Sequence, residues 1–165
     1  LWSRILKAGE PYNIRPIAPC ETRRVEAGIF NYGSDISLDS NPYEVMGLER
    51  LVEPQAADYI GKKALERIRK EGVRRKLVGI EIEGSPLPFQ PAEPWPARHD
   101  GKPAGRVTNA IWSPRLKKNI GYVWLPIKLS EPGTRLEVEL PKGGPAKART
   151  AALPFIDPRK RIPLQ

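Results

Sequence analysis

One cysteine and one histidine are all that 165 residues provide of the side chains most used as metal ligands and nucleophile partners. A lone Cys20 excludes an internal disulfide framework and a multi-thiolate metal site, and makes a reducing cytoplasm the expected setting. The thiol stands beside Glu21, and His99 lies about eighty positions away, which is weak support for a Cys-His nucleophile. No apolar run approaches the roughly 20 residues needed to cross a bilayer, and no signal-peptide pattern opens the chain, so no membrane partner is expected. Also missing are a Ser-His-Asp arrangement, a phosphate-cradling glycine loop and a dinucleotide fingerprint.

Positive charge, by contrast, is in excess. The formal net charge is +9, and it is unevenly placed: residues 1–75 carry 13 Lys and Arg against 11 Asp and Glu, whereas residues 76–165 carry 15 against 8. Such a balance concentrates anions near the surface, whether nucleic acid, phosphates or a polyglutamate tail. The 19 prolines are dispersed between apolar runs as turn and loop punctuation.

Two periodicities divide the chain. Up to about residue 72 the pattern is helices and connecting loops. Trp2 to Ala8 reads like the last turns of a helix stopped by Gly9, and with no initiator methionine before Leu1 a piece of a longer protein is expected. A helix from Ala18 to Ala27 would place Pro19 in its first turn and Gly28 just past its end. Asn41-Pro42 reads as a cap and first helical residue, with Tyr43, Met46 and Leu48 on one side. Asp58 is placed to cap a further helix in which Ile60, Ala64, Leu65 and Ile68 recur at helical spacing before Gly72, with a solvated charged face opposite.

From Arg75 the period becomes two. Val78, Ile80 and Ile82 alternate with Gly79, Glu81 and Glu83, and Leu136, Val138 and Leu140 alternate with Arg135, Glu137 and Glu139. Further strands are expected in Gly105–Trp112, Ile120–Leu125 and Ala146–Phe155, with turns at Asp100-Gly101, Pro132-Gly133 and Gly143-Gly144. The expected fold class is α+β: a helical and loop segment, residues 1–74, followed by a small antiparallel β-barrel, residues 75–165.

Chemistry concentrates in Arg23-Arg24-Val25-Glu26-Ala27-Gly28-Ile29-Phe30-Asn31-Tyr32-Gly33-Ser34-Asp35. Arg24 could grip a carboxylate through two parallel charge-assisted hydrogen bonds, with a tyrosine hydroxyl as a further donor. It could equally be a helix-surface arginine paired with Glu21 or Glu26. Arg115, Lys117 and Lys118 in the loop Ser113–Asn119 either hold an anion or stay in water and guard a sheet edge. Trp95 between Pro94 and Pro96 is expected to plug the barrel mouth, Trp112, Tyr122 and Trp124 to pack within strands, and His99 to be exposed and structurally neutral.

Taken in order, Arg24-Val25-Glu26-Ala27-Gly28 with Tyr32-Gly33-Ser34-Asp35, Asn41-Pro42-Tyr43-Glu44, Tyr59-Ile60-Gly61-Lys62-Lys63-Ala64-Leu65 and Ser113-Pro114-Arg115-Leu116-Lys117-Lys118-Asn119-Ile120-Gly121, followed by Leu153-Pro154-Phe155, resemble the C-terminal part of the glycine cleavage T-protein family. Asn-Pro-Tyr-Glu, Glu93-Pro94-Trp95-Pro96 and the Ser113 loop resemble its dimethylsulfoniopropionate demethylase-like branch more than the aminomethyltransferases proper. The resemblance implies an enzyme when full-length, a one-carbon transferase with tetrahydrofolate as acceptor, a small-molecule methyl or aminomethyl donor and, for a true T-protein, a carrier protein. By motif match Arg24 is the arginine that grips the folate glutamate and Tyr32 the tyrosine near that tail, while residues 1–74 would be the end of the folate-binding region. Arg159-Lys160-Arg161 lies where the family places another contact to the tail, with different spacing and no single residue assigned. The family's catalytic aspartate and pterin-holding glutamate belong upstream; neither Asp35 nor Asp39 matches their context, so the isolated chain is expected to be inactive. A rival reading is a basic barrel that binds nucleic acid through Trp95, Trp112 and Trp124. A folate-binding relative that assists iron-sulfur chemistry is a third, and its cysteine motif is missing.

Overall fold

The computed structural model describes residues 1–52, 57–88, 91–159 and 161. Three short helices precede the strands: α1 (Trp2–Gly9), α2 (Glu21–Glu26) and α3 (Lys62–Glu71). Six strands follow, β1 (Arg75–Ile82), β2 (Trp95–His99), β3 (Lys102–Ser113), β4 (Lys118–Pro126), β5 (Arg135–Leu140) and β6 (Gly144–Ala151). They close into an antiparallel barrel in the order β1-β4-β3-β2-β5-β6.

Alternation explains the interior. Val78, Ile80 and Ile82 of β1, Val123 and Leu125 of β4, and Leu136 and Val138 of β5 point inward, where Trp95 joins them at 6% exposure as the expected plug. Asp100 and Gly101 both take positive φ (48° and 73°) in the two-residue turn between β2 and β3, the turn in which both central residues must be left-handed. β4 departs from simple alternation, being buried from Asn119 through Leu125. Its even-numbered residues Ile120, Tyr122 and Trp124 face outward, yet they lie under Val25 and Val45 with Phe30, Ile36 and Leu48 packed against the same cluster. The chain that precedes the barrel is therefore the second cover of this strand.

Several helical expectations need correction. The second helix runs only from Glu21 to Glu26, with Cys20 at its N-cap, so Pro19 lies outside it; Gly28 does turn left-handed (φ 69°). Asn41 caps a single 3-10 turn, Pro42–Glu44, with a complete capping box, and Val45 leaves it at once to bridge Leu77 of β1. Asp58 does not cap α3: the cap is Gly61 at φ 92°, Ile60 is fully exposed outside the helix, and the Asp58 carboxylate instead stands 3.5 Å from Lys62 Nζ. The last strand ends at Ala151, short of the expected Phe155, because Leu153 and Phe155 turn onto the outer cluster.

Candidate carboxylate-binding site

Arg24 sits in the last turn of α2, where the chain is about to reverse at Gly28. The positive φ of 69° at Gly28 is what calls for glycine, while a Cβ there would make only an ordinary 3.4 Å contact with the Cα of Pro154. The loop that follows folds back on itself, with Asp35 N–H and Ile36 N–H both donating to Asn31 O. That brings Asp35 beneath the helix.

The Asp35 side chain is fully buried and every polar atom of it is used. Its Oδ2 accepts from Arg24 Nη1 at 2.8 Å and from Asn31 N–H at 2.8 Å, and its Oδ1 accepts from the Thr108 hydroxyl at 3.0 Å. Trp124 Nε1–H donates to the Asp35 carbonyl at 2.9 Å. Thr108 belongs to β3 at a register irregularity between Val107 and Asn109, and that extra residue aims its hydroxyl out of the barrel wall. A buried carboxylate without such partners would carry a large desolvation penalty, so this set holds the charge in place.

Asp35 in turn orients Arg24. Nη1 also donates to Ile29 O at 2.8 Å, while Nε donates to Glu21 Oε2 at 2.8 Å. Nη2 is sealed from solvent; it lies 2.7 Å from the same Glu21 oxygen in an ion pair without hydrogen-bond alignment and has no other partner. The guanidinium stands 5.9 Å from the centre of the Tyr122 ring, whose hydroxyl donates toward Ile29 O (3.1 Å) and Val25 O (3.3 Å). Burial lowers the Arg24 pKa, but the hydrogen bonds and charges of Glu21 and Asp35 more than offset it, and the net direction is upward. Burial raises the Tyr122 phenol well above its usual 10, against the lowering influence of Arg24.

Of the residues named from sequence, Arg24 is thus partnered by Glu21, as one of its two readings anticipated, and not by Glu26, which turns away to accept a hydrogen bond from Ser113. Tyr32 is two-thirds exposed on the loop, with no hydrogen bond or ion pair to Arg24 among the described residues. Arg159 is exposed, Arg161 N–H donates to Asp157, and Lys160 lies outside the described residues. In the Ser113 loop, Lys118 pairs with Glu81 of β1, while Arg115 and Lys117 stay in water. His99 is not the exposed, structurally idle side chain expected: half-buried, it places Nδ1 2.8 Å from Arg135 O and ties β2 to β5. Trp95 and Trp124 are buried and Trp112 is half-buried, which leaves an oligonucleotide without the exposed stacking surface that reading needs.

Asp35 lies in the stretch singled out from sequence, though not foreseen as the partner of Arg24, whereas Thr108, Tyr122 and Trp124 were missed as members of the site. The unbroken apolar run Ile120–Leu125 was the available signal, since a strand with no polar face must be covered on both sides. A groove of about 510 Å³ on the β2, β5 and β6 wall is lined by Arg98, Arg135, Lys147 and Arg149 together with Glu83, Asp100 and Glu137, a mixed surface that includes no residue of the Arg24 network.

Among the described residues no helix is long and apolar enough to cross a membrane, and no group of His, Cys, Asp or Glu could hold a metal ion. Residues 75–157 match the family model of the glycine cleavage T-protein C-terminal barrel domain. An aminomethyltransferase of Synechococcus sp. is 37% identical over 161 residues, 94% of this chain and 41% of the relative. The dimethylsulfoniopropionate demethylase DmdA of Ruegeria pomeroyi is also 37% identical, over 87% of this chain and 38% of its own length. In fold, the aminomethyltransferase T of the Bartonella henselae glycine cleavage system superposes with a TM-score of 0.72 at 24% identity, covering 82% of this chain and 37% of that one. The chain spans about two fifths of the length of the curated relatives it matches. With the six-stranded barrel that carries the match and a similarity that extends over 94% of its residues, the chain belongs to the glycine cleavage T-protein family.

Proposed function

We propose that this chain is the C-terminal part of a tetrahydrofolate-dependent one-carbon transferase, and that Arg24 binds the glutamate carboxylate of the folate, with Tyr32 beside the same tail. The carrying observation is the state of Arg24: its Nη1 end is fixed by Asp35 and Ile29 O, while its Nε and Nη2 edge already faces a carboxylate oxygen, that of Glu21. That edge has the shape and charge a ligand carboxylate needs, and Nη2 still lacks an aligned acceptor. Tetrahydrofolate, when bound, supplies the nitrogen that accepts the one-carbon group. The residues of this chain hold its far end, and the barrel, through Asp35, keeps the grip in register.

Residues 1–74 are read as the end of the folate-binding region and residues 75–165 as the barrel domain. Nearly all the exposed large apolar side chains, among them Trp2, Tyr12, Ile17, Ile29 and Tyr32, precede residue 61, which suits a surface covered by further protein in a longer parent. Donor and catalytic groups would come from there, so the isolated chain has no transfer activity. The donor is a small methyl or aminomethyl compound, with a carrier protein if the parent is an aminomethyltransferase proper; equal identity to the two relatives leaves both donors open. A cytoplasmic location fits a folate enzyme.

The test is folate binding by the parent protein. Losing a charge-assisted contact costs about 1.5–3 kcal/mol, roughly ten- to a hundredfold in Kd. Arg24→Ala should show that loss, and Arg24→Lys a smaller one, because lysine keeps a charge near Asp35 but not the planar fork. Both losses should shrink for a pterin lacking the glutamate. A folded Arg24→Ala protein that binds both ligands like the unmodified one refutes the assignment.

A further inference from the structure

We infer that Glu21 is a built-in competitor for the ligand carboxylate at Arg24, and so sets the affinity of the site. This rests on the reading of Arg24 as the grip. Glu21 Oε2 engages both Nε (2.8 Å) and Nη2 (2.7 Å), the two donors that form the side edge of the guanidinium. The remaining donors of Nη1 are held by Asp35 and Ile29 O. A ligand carboxylate seeking a bidentate contact must therefore take the edge that Glu21 occupies, and Nη2 is closed to solvent while Glu21 stays there.

The two acidic partners are built differently, and the difference separates a holder from a competitor. Asp35 is fully buried and locked by Thr108 and Asn31, so it cannot leave. Glu21 is 40% exposed, accepts no hydrogen bond from any other described residue, and uses one oxygen for both donors. Its flexible side chain can swing into water, where a carboxylate is fully solvated. Only one oxygen of Glu21 is engaged and Nη2 has no aligned acceptor, so a ligand that offers two oxygens completes the fork and can displace it. Displacement also exchanges one carboxylate for another, so Arg24 is flanked by two carboxylates, Asp35 and one other, before and after binding.

Two consequences can be measured on the 165-residue chain with p-aminobenzoyl-glutamate, the carboxylate-bearing end of a folate, as probe and the Kd from titration calorimetry as readout. Glu21→Gln keeps the length and polarity of the side chain but removes the competing charge. It should bind the probe about three- to tenfold more tightly than the unmodified chain. Because binding then creates a new charge pair instead of exchanging one, its affinity should fall more steeply as salt is raised from about 0.05 to 0.5 M. Arg24→Ala should lose the probe. Equal or weaker binding by Glu21→Gln, with binding still lost in Arg24→Ala, overturns the competitor and leaves the grip standing. Unchanged binding by Arg24→Ala overturns the grip, and the competitor with it.

Discussion

Asp35→Asn is the substitution that most directly asks whether the barrel braces the arginine. Asparagine preserves the shape: with its oxygen placed where Oδ2 was, it can still accept from Arg24 Nη1 and Asn31 N–H, and its amide can donate to Thr108, whose hydroxyl rotates to accept. What is lost is charge. The contact between Arg24 and a fully buried carboxylate falls to a neutral hydrogen bond, and Arg24 is left with the half-exposed Glu21 as its acidic partner. The expected cost is about 1.5–3 kcal/mol. Asp35→Ala goes further, since it orphans the Asn31 N–H and one Arg24 donor together; about 3–5 kcal/mol is expected. For a chain of this size 1 kcal/mol moves Tm by roughly 2–4 °C, so the asparagine variant should melt about 3–12 °C lower.

The assay is urea unfolding followed by tryptophan fluorescence and far-ultraviolet circular dichroism, compared at constant m value. Trp124, whose indole donates to the Asp35 carbonyl, contributes to that fluorescence together with Trp2, Trp95 and Trp112. A double-mutant cycle with Arg24→Ala then isolates the pair, and coupling of about 1 kcal/mol or more is expected between residues in direct contact. The reasoning is refuted if Asp35→Asn is as stable as the unmodified chain, or if the two substitutions simply add.

Two further outcomes follow from the same neighbourhood. Tyr122→Phe removes the hydroxyl that reaches Val25 O and Ile29 O, at a cost of about 1 kcal/mol near neutral pH. The folded Tyr122 pKa lies above its ordinary value of 10, so its stabilisation is present below pH 10 and fades as pH rises through the folded value; alkaline denaturation above pH 10 should therefore flatten in the phenylalanine variant. Gly121→Ala should cost about 3 kcal/mol or more, lowering Tm by at least about 6–12 °C, because a Cβ at Gly121 would stand 1.8 Å from Asn109 O of the adjacent strand, while Ala110→Gly, which adds no atom, should cost less.

The barrel was legible because period two is a local signal and its turns are chemically marked. Val78, Ile80 and Ile82 went inside as the alternation required, and Asp100-Gly101 made the turn its residues demand. The helices were less legible because short segments draw their stability from packing rather than propensity. α2 was expected from Ala18 but starts only at Glu21, and the residues after Asn41-Pro42 were pulled out of helix by the bridge from Val45 to Leu77. His99 looked idle because its partner, the Arg135 carbonyl, is 36 positions away.

The same physics explains how far the site could be read. Arg24 and Glu21 are three residues apart on one helix, and that pairing is visible in any helical reading. The groups that fix Arg24 directly, Asp35 and the Ile29 carbonyl, are near in sequence, but what braces them arrives from a distance: Thr108 reaches Asp35 across 73 positions, Trp124 reaches it across 89, and Tyr122 reaches Ile29 across 93. All three come from β3 and β4, the strands whose outer face lies beneath residues 25–48. A basic arginine near a tyrosine is common, whereas an arginine whose far end is pinned by a buried carboxylate presents one fixed edge to whatever approaches. Under the proposed function the barrel would contribute without touching the reacting atoms. It fixes the direction of the Arg24 edge, and a substitution at Thr108, more than 80 residues down the chain, should be felt at the same ligand carboxylate.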